Sequence, residues 1–221
     1  MTPTRPVFWY GIPHGYLQLD LDPSSKNFEL LAEQVLGLPA ELRERADKAF
    51  RFYAGALLLL NQQQVQGCAL GLHPDGCGGI LLSVITVSSM SASGVDPKLV
   101  IATLVKTADE NPEKHIQPLE LPCGTGFLFE EERVTTAPGK PSEGSEELLE
   151  GIVWQGTVAV AAAASSEIVM MQLVTSEVDF VDEYRNVLLG VACTLTFTDP
   201  SLAETKSRND SFAAQVRSPF G

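Results

Sequence analysis

The stretch that most constrains the fold runs from Ile168 to Asp199. Ile168-Val-Met-Met-Gln-Leu-Val-Thr175 is apolar at successive positions rather than alternate ones, the pattern of a strand covered on both faces. The period then changes. Val181, Tyr184, Val187, Leu188, Val191 and Ala192 recur at three- and four-residue spacing, which gives a helix with one apolar face for docking on a sheet. Asp179 is expected to cap that helix, with Asp182 and Glu183 in its first turn, where carboxylates accept free amide protons and meet the positive end of the dipole. Leu195 to Phe197 reads as a last short strand, stopped by Asp199-Pro200. The stretch specifies architecture and no chemistry.

Upstream, Val7 to Tyr10 and Tyr16 to Leu21 read as strand segments around the turn Gly11-Ile-Pro-His-Gly15, and Asp22-Pro-Ser-Ser breaks the chain before a short helix, Phe28 to Leu36, ended by Gly37 and Pro39. A longer helix is predicted from Ala40 to Gln64, with Leu42, Ala46, Ala49, Phe50, Tyr53, Leu57 and Leu60 on one face and a charged early face opposite. Val65 to Leu72 and Ile80 to Ser88, joined by His73-Pro-Asp-Gly-Cys-Gly-Gly79, make a hairpin. Those glycines lack the Lys-Ser/Thr ending of a phosphate loop and precede β-type residues, so they read as a turn. Asp96-Pro97 opens a third helix to Asp109; Ile116 to Leu121 and Phe127 to Thr135 form a second hairpin around Pro122 to Gly126. Thr136 to Glu147 reads as an excursion, and Gly151 to Ala162 as a strand paired with the Ile168 strand through Ser165-Ser-Glu167. The sum is one α+β domain over residues 1–199, an antiparallel sheet with helices packed against it and an extra helical element near residues 27–64; residues 200–221 lose periodicity and are expected to be a disordered tail.

With 221 residues, 44% hydrophobic and 19% charged, the chain can bury a substantial core. No apolar run reaches the roughly 18 residues of a membrane span, and Met1-Thr-Pro-Thr-Arg-Pro has no apolar signal core, so a cytoplasmic location is expected. A net charge of −13, from 15 basic against 28 acidic residues, argues against nucleic acid as a partner, because phosphate neutralisation needs clustered Lys and Arg. Cys68, Cys77, Cys123 and Cys193 have neither metal-ligand spacing nor a histidine pair, and read as reduced structural thiols. A turn centred on Gly76 would set Cys68 opposite Val84 rather than opposite Cys77.

No catalytic constellation emerges. His14, His73 and His115 sit in turns or polar loops without a positioned partner, and Ser165-Ser166-Glu167 lacks a nucleophile elbow. Glu130, Glu131, Glu132 and Arg133 interrupt an aromatic strand; they admit a paired acid, a buried partner for Arg133, or charge protecting an edge strand, the reading expected here. No cofactor or metal site is assigned. Trp9, Tyr10, His14 and Tyr16, around the Gly11 turn, are the candidate interaction surface; Trp154 is grouped with Trp9, Tyr10 and Tyr16 as an aromatic that could line an exposed groove, set against the rule that most large aromatics in a domain of this size are core.

Gly11-Ile-Pro-His-Gly-Tyr-Leu-Gln-Leu-Asp20, the central hairpins and the Asp179 to Phe197 unit together resemble the PsbP-like α/β sandwich, named for an extrinsic photosystem protein and also found in small actinobacterial lipoproteins. The resemblance spans Val7 to Asp199. The chain departs from the lipoproteins in lacking a signal sequence and lipidated cysteine, and its Ala40 to Gln64 helix is longer than a minimal member needs. The resemblance implies a non-enzymatic binding or assembly accessory to another protein, associated with a secretion or envelope system, and no catalytic residues. The alternative is a small-molecule or lipid-binding module with a cavity between sheet and helices.

Overall fold

Alternating and continuous apolar runs become strands wherever a partner run of matching length lies within reach, and seven do so here. The computed structural model describes residues 8–75, 79–92, 94–97, 99–101, 103, 115–136, 150–161 and 167–200. In chain order these form β1 (Tyr16–Gln18), α1 (Ser25–Leu36), α2 (Ala40–Gln62), β2 (Val65–Pro74), β3 (Ile80–Ser91), β4 (His115–Leu121), β5 (Gly124–Thr136), β6 (Glu150–Ala161), β7 (Glu167–Thr175), a 3₁₀ turn (Val178–Phe180) and α3 (Val181–Cys193). The strands make one antiparallel sheet in the order β1-β2-β3-β7-β6-β5-β4. It is built from two meanders, β1 to β3 and β4 to β7, sealed by the β3–β7 pairing from Ser83↔Thr175 to Ser91↔Glu167. The α+β class and the helical element after β1 are as the sequence indicates.

The apolar stripe of α3 decides which face of the sheet becomes the main core. Tyr184, Val187, Leu188, Val191 and Ala192 are all buried, and they pack on Leu128, Trp154, Val158, Val169, Met171 and Leu173 from the central strands. Alternation along each strand puts those residues on one side, the helix face, and their neighbours on the other, the far face. On the far face a smaller cluster of Ile101, Ala159 and Ile168 gathers Val100, Phe127, Phe129 and Met170. The helical pair α1–α2 joins the rest through Tyr53 Oη, which donates to Asp20 O at 3.3 Å, and Asn61 Nδ2, which donates to Leu21 O at 3.1 Å; among its described residues Leu57 alone is buried.

Several local expectations are corrected. Asp179 lies inside the 3₁₀ turn, one residue short of the capping position; Phe180 precedes α3 and no side chain caps it, because Val178–Phe180 winds directly into the helix. Leu195 to Phe197 is not a strand: Thr196 makes a single bridge, with Trp9, their amides and carbonyls bonding reciprocally at 2.9 Å while the chain on either side departs. The early strands shrink to β1 and that bridge. The second hairpin turns at Pro122-Cys123, tighter than the glycine-rich pentapeptide suggests. Cys68 faces Thr86 rather than Val84. Cys77, the 136–147 excursion beyond Thr136, most of the third helix and the tail after Pro200 lie outside the described residues.

Two glycines admit the aromatic strap that precedes β2. A Cβ at Gly67 would lie 1.8 Å from the Tyr10 hydroxyl, and one at Gly71 would lie 2.7 Å from the Tyr16 ring and 2.5 Å from Ser83 Oγ. Through that second gap the Tyr16 hydroxyl reaches the buried Ser83 hydroxyl at 2.7 Å, while the ring meets His73 edge-on at 5.4 Å. Thr175 Oγ1, also buried, donates to Leu82 O at 2.8 Å. The Tyr184 hydroxyl is buried beside Thr175 and Ser83, without a hydrogen bond of good geometry to either. A polar knot thus ties β1, β2, β3, β7 and α3 at one end of the core.

Truncation of Leu188 to Ala, at a fully buried position, is expected to destabilise the fold by about 3 kcal/mol, whereas Leu58→Ala on the exposed side of α2 should change it by less than about 0.5 kcal/mol, both read by urea unfolding. Burial pushes the Tyr16 phenol up to about 12 from 10.0; the bond to Ser83 opposes the rise and nearby Tyr184 adds to it. A raised native value means that the folded state holds this proton more tightly. Its contribution is therefore complete below pH 10 and is lost as the pH climbs toward 12. The melting temperature should fall over that window in calorimetry, and less steeply in Tyr16→Phe.

Candidate functional site

The far face carries the most unusual surface of the protein. Across β1, β2, β3 and β7 its described side chains include no charged residue: Leu17, Leu70, Leu72, Leu82, Val84 and Val174 pair across the strands, with Thr86, Ser88 and Gln172 beyond them. Four large apolar side chains there stand well into solvent, Leu17 at 62%, Leu72 at 50%, Ile80 at 68% and Leu82 at 44% exposure. Isolated apolar residues are ordinary on a protein surface, but neighbours on three adjacent strands form a contiguous patch. The sequence explains why no cation interrupts it. From Phe52 to Pro97 the chain has neither lysine nor arginine, and its acids in that span are Asp75 and Asp96.

Acidic residues follow or join these strands in the chain, Glu177 lying beside Tyr184 on the helix face. Asp20 and Asp22 follow β1, Asp75 occupies the β2–β3 turn and accepts from Gly79 N at 2.7 Å, and Glu177 follows β7 just past the Thr175–Leu82 contact. The described arginine side chains are engaged elsewhere: Arg43 with Leu38 O, Arg51 with Asp47, Arg133 with Glu131, and Arg185 with Glu130 and Asp182. A second apolar surface lies on α2, where Phe52, Leu58 and Leu59 are exposed one to two turns beyond the Glu44–Lys48 and Asp47–Arg51 pairs. The second half of α2, Phe52 to Leu60, is apolar on most sides, whereas its first half is charged.

On the helix face, an open cleft of about 770 Å³ lies between the start of α3 and the ends of β5 and β6, lined by His115, Glu130, Glu132, Val134, Ile152, Trp154 and Val181 among others. Of the charged run expected to guard an edge strand, Glu130 sits between β4 and β6, while Glu131, Glu132 and Arg133 pair with β6 alone among the described residues. Glu130 is 5% exposed, and its partner is Arg185 of α3 at 2.7 Å rather than Arg133. Period-two alternation turned this carboxylate inward, and the stripe of α3 brought Arg185 to it; the pairing is non-local and left no signal in the run itself. Trp154, grouped with the aromatics of a candidate exposed groove, is instead buried beneath the cleft.

The residues singled out around the Gly11 turn divide. His14 is exposed at the turn; Trp9, Tyr10 and Tyr16 are half-buried, Tyr10 stacking on Phe8 at 6.2 Å between ring centres and Gly11 N donating to Thr194 Oγ1 at 2.7 Å. They form a strap across the helix face that leads directly into Leu17 of the far face. Among the described residues, His, Cys, Asp and Glu side chains do not gather in threes in any arrangement that could hold a metal, and no helix is long and apolar enough to cross a membrane. Cys68, Cys123 and Cys193 are free thiols, and burial pushes the thiols of Cys68 and Cys123 up, away from reactivity.

Removing Arg185 leaves Glu130 buried without its cation, whereas removing Asp182, exposed on the outer side of the same arginine, does not. Arg185→Ala should therefore destabilise the protein by about 3 kcal/mol and Asp182→Ala by less than about 1 kcal/mol in chemical denaturation.

No protein-family model matches the chain, and no curated protein matches it. Among solved structures it is similar to LpqN, described as involved in cell envelope biogenesis of Mycobacterium tuberculosis, at 12% identity over 88% of this chain and 84% of that one, with a TM-score of 0.41.

Proposed function

We propose that this protein is a non-enzymatic binding or assembly accessory that holds a partner protein on the far face of its sheet. The observation that carries the reading is the contiguous exposed patch of Leu17, Leu72, Ile80 and Leu82, since exposed apolar neighbours of this kind on a folded domain mark contact surfaces. The strap from Trp9 to Tyr16, with His14 at its exposed turn, borders that contact. The PsbP-like likeness of the sequence, whose members serve chiefly as binding and assembly factors, makes components of a secretion or envelope-associated system the first partners to test.

Affinity capture from native extract, followed by mass spectrometry, tests the reading. Wild-type protein should retain one protein in stoichiometric amount, and Leu72→Ser/Leu82→Ser, with unchanged circular dichroism, should lose it. Retention of nothing by the wild type, or of the same partner by the double variant, would overturn the assignment.

A second reading, a small-molecule site, rests on the cleft between Trp154, Val134, Ile152 and Val181. Its apolar walls and the ion pair at its base suit an amphipathic ligand. Native mass spectrometry of the purified protein should then find a bound compound that Ile152→Glu releases; an unliganded mass in the wild type counts against it.

A further inference from the structure

Resting on the small-molecule reading of the cleft just given, we propose that the cleft between α3 and the ends of β5 and β6 takes an amphipathic cation, a protonated amine head on an aliphatic body.

The way the strands end makes the cleft. Among the described residues, β4 accompanies β5 only as far as Glu130 and β7 accompanies β6 only as far as Trp154, whereas β5 and β6 go on pairing with each other to Thr136↔Glu150. Period-two alternation sets Glu130, Glu132 and Val134 on the side of Trp154 and Ile152, the side on which Val181 opens α3. The resulting volume of about 770 Å³ lies within the range of small-molecule sites, roughly 300–1,000 Å³. Its walls are apolar and reachable. Val134 and Ile152 face each other across the two strands at 69% and 50% exposure, so an aliphatic body laid on them gains burial without moving the core beneath.

The polar groups in the same cleft select the head. Glu130, Glu131 and Glu132 line it together with one guanidinium, Arg133, which Glu131 engages. At the base Arg185 is shared between Glu130 and Asp182, so two cations meet four carboxylates. Glu132 is exposed and has neither a hydrogen bond nor an ion pair to a described residue. Glu130 is the second, independent indication. It is 5% exposed, accepts from Arg185 Nε through Oε1 at 2.7 Å, and receives nothing from the described residues at its other oxygen. A carboxylate has about four acceptor sites and an ammonium three donors, so an amine head can complete Glu130 and reach Glu132 as well. The two lie two residues apart on one strand, about 6.8 Å between Cα atoms, a span that one ammonium bridges with bonds of about 2.8 Å to each side chain.

Other heads fit less well. The amide end of α3 has no side-chain cap and favours an anion, but Asp182 and Glu183 in its first turn already supply negative charge, and an anion would also face Glu130 and Glu132. A neutral head would take water from Glu130 without replacing the bonds that water makes.

The probes are octylammonium, octanol and octanoate, equal in length and different in head, each titrated into the full chain at pH 8 by calorimetry. Octylammonium is expected to bind saturably, about tenfold or more tighter than octanol, and to weaken as salt rises; octanoate should not bind. Glu132→Gln, a change of charge at an exposed position, should bring octylammonium close to octanol and leave octanol as it was. Octanol or octanoate binding as tightly as octylammonium would overturn the cationic chemistry while leaving the small-molecule reading in place. Equal octylammonium binding to wild type and Glu132→Gln would reduce the effect to the general attraction of a chain of charge −13, and overturn the inference. Binding of none of the three would overturn the inference and the small-molecule reading together. Amide shifts on adding octylammonium locate the site: shifts centred on Glu132, Ile152 and Val181 support the cleft, and shifts centred on any other region overturn it.

Discussion

The pairing of β3 with β7 is the contact on which the rest of this structure depends. Each meander alone is an open sheet of three or four strands with β3 or β7 bare at one of its two edges, and an apolar strand such as Ile168–Thr175 there would invite association with any other chain. Brought together, the two edges satisfy one another over nine residue pairs, from Ser83↔Thr175 to Ser91↔Glu167, and the apolar residues of β3 and β7 come to lie side by side. Only then is there a surface wide enough for α3. Its stripe reaches both meanders, with Leu188 against Gly156 of β6 and Val191 facing Ala69, Ile85 and Val87 of β2 and β3, so the seal between the meanders and the seating of the helix reinforce each other.

The polar knot at the end of that seam has a complementary role. Buried hydroxyls in an apolar core are costly unless they are bonded, and here their bonds run between elements rather than within them: Tyr16 to Ser83 joins the strap to β3, and Thr175 to Leu82 O joins β7 to β3. Apolar packing tolerates small shifts of register, but these bonds do not, because a one-residue slip would turn Ser83 and Thr175 to the far face. Glu130 and Arg185 act in the same way at the other side of α3, fixing the rotation of the helix on the sheet.

How much of this was legible in the sequence depends on the range of the interaction that fixes each part. Elements set by local period were readable: α2, the hairpin of β2 and β3, the two-sided character of β7 and the stripe of α3 follow from spacing alone. Their ends were less so, since Asp179 has the right chemistry for a cap and the wrong position once the 3₁₀ turn is counted. Non-local pairings left no local mark. Glu130 could be seen to alternate inward, but Arg185 as its partner could not, and the bridge of Thr196 to Trp9 looked like the start of a strand. The far-face patch was hidden for a related reason. Leu72 and Leu82 look like ordinary strand residues until the register pairs them on the face opposite Tyr16 and Ser83.

The absence of lysine between Phe52 and Pro97, and again between Pro141 and Tyr184, has a chemical consequence. The enzymes that acylate, methylate or ubiquitinate proteins act on lysine amines, as do the common amine-directed cross-linkers. None of them has a target on β2, β3, β6 or β7, so the broad sheet surface that those strands make carries no site for lysine modification.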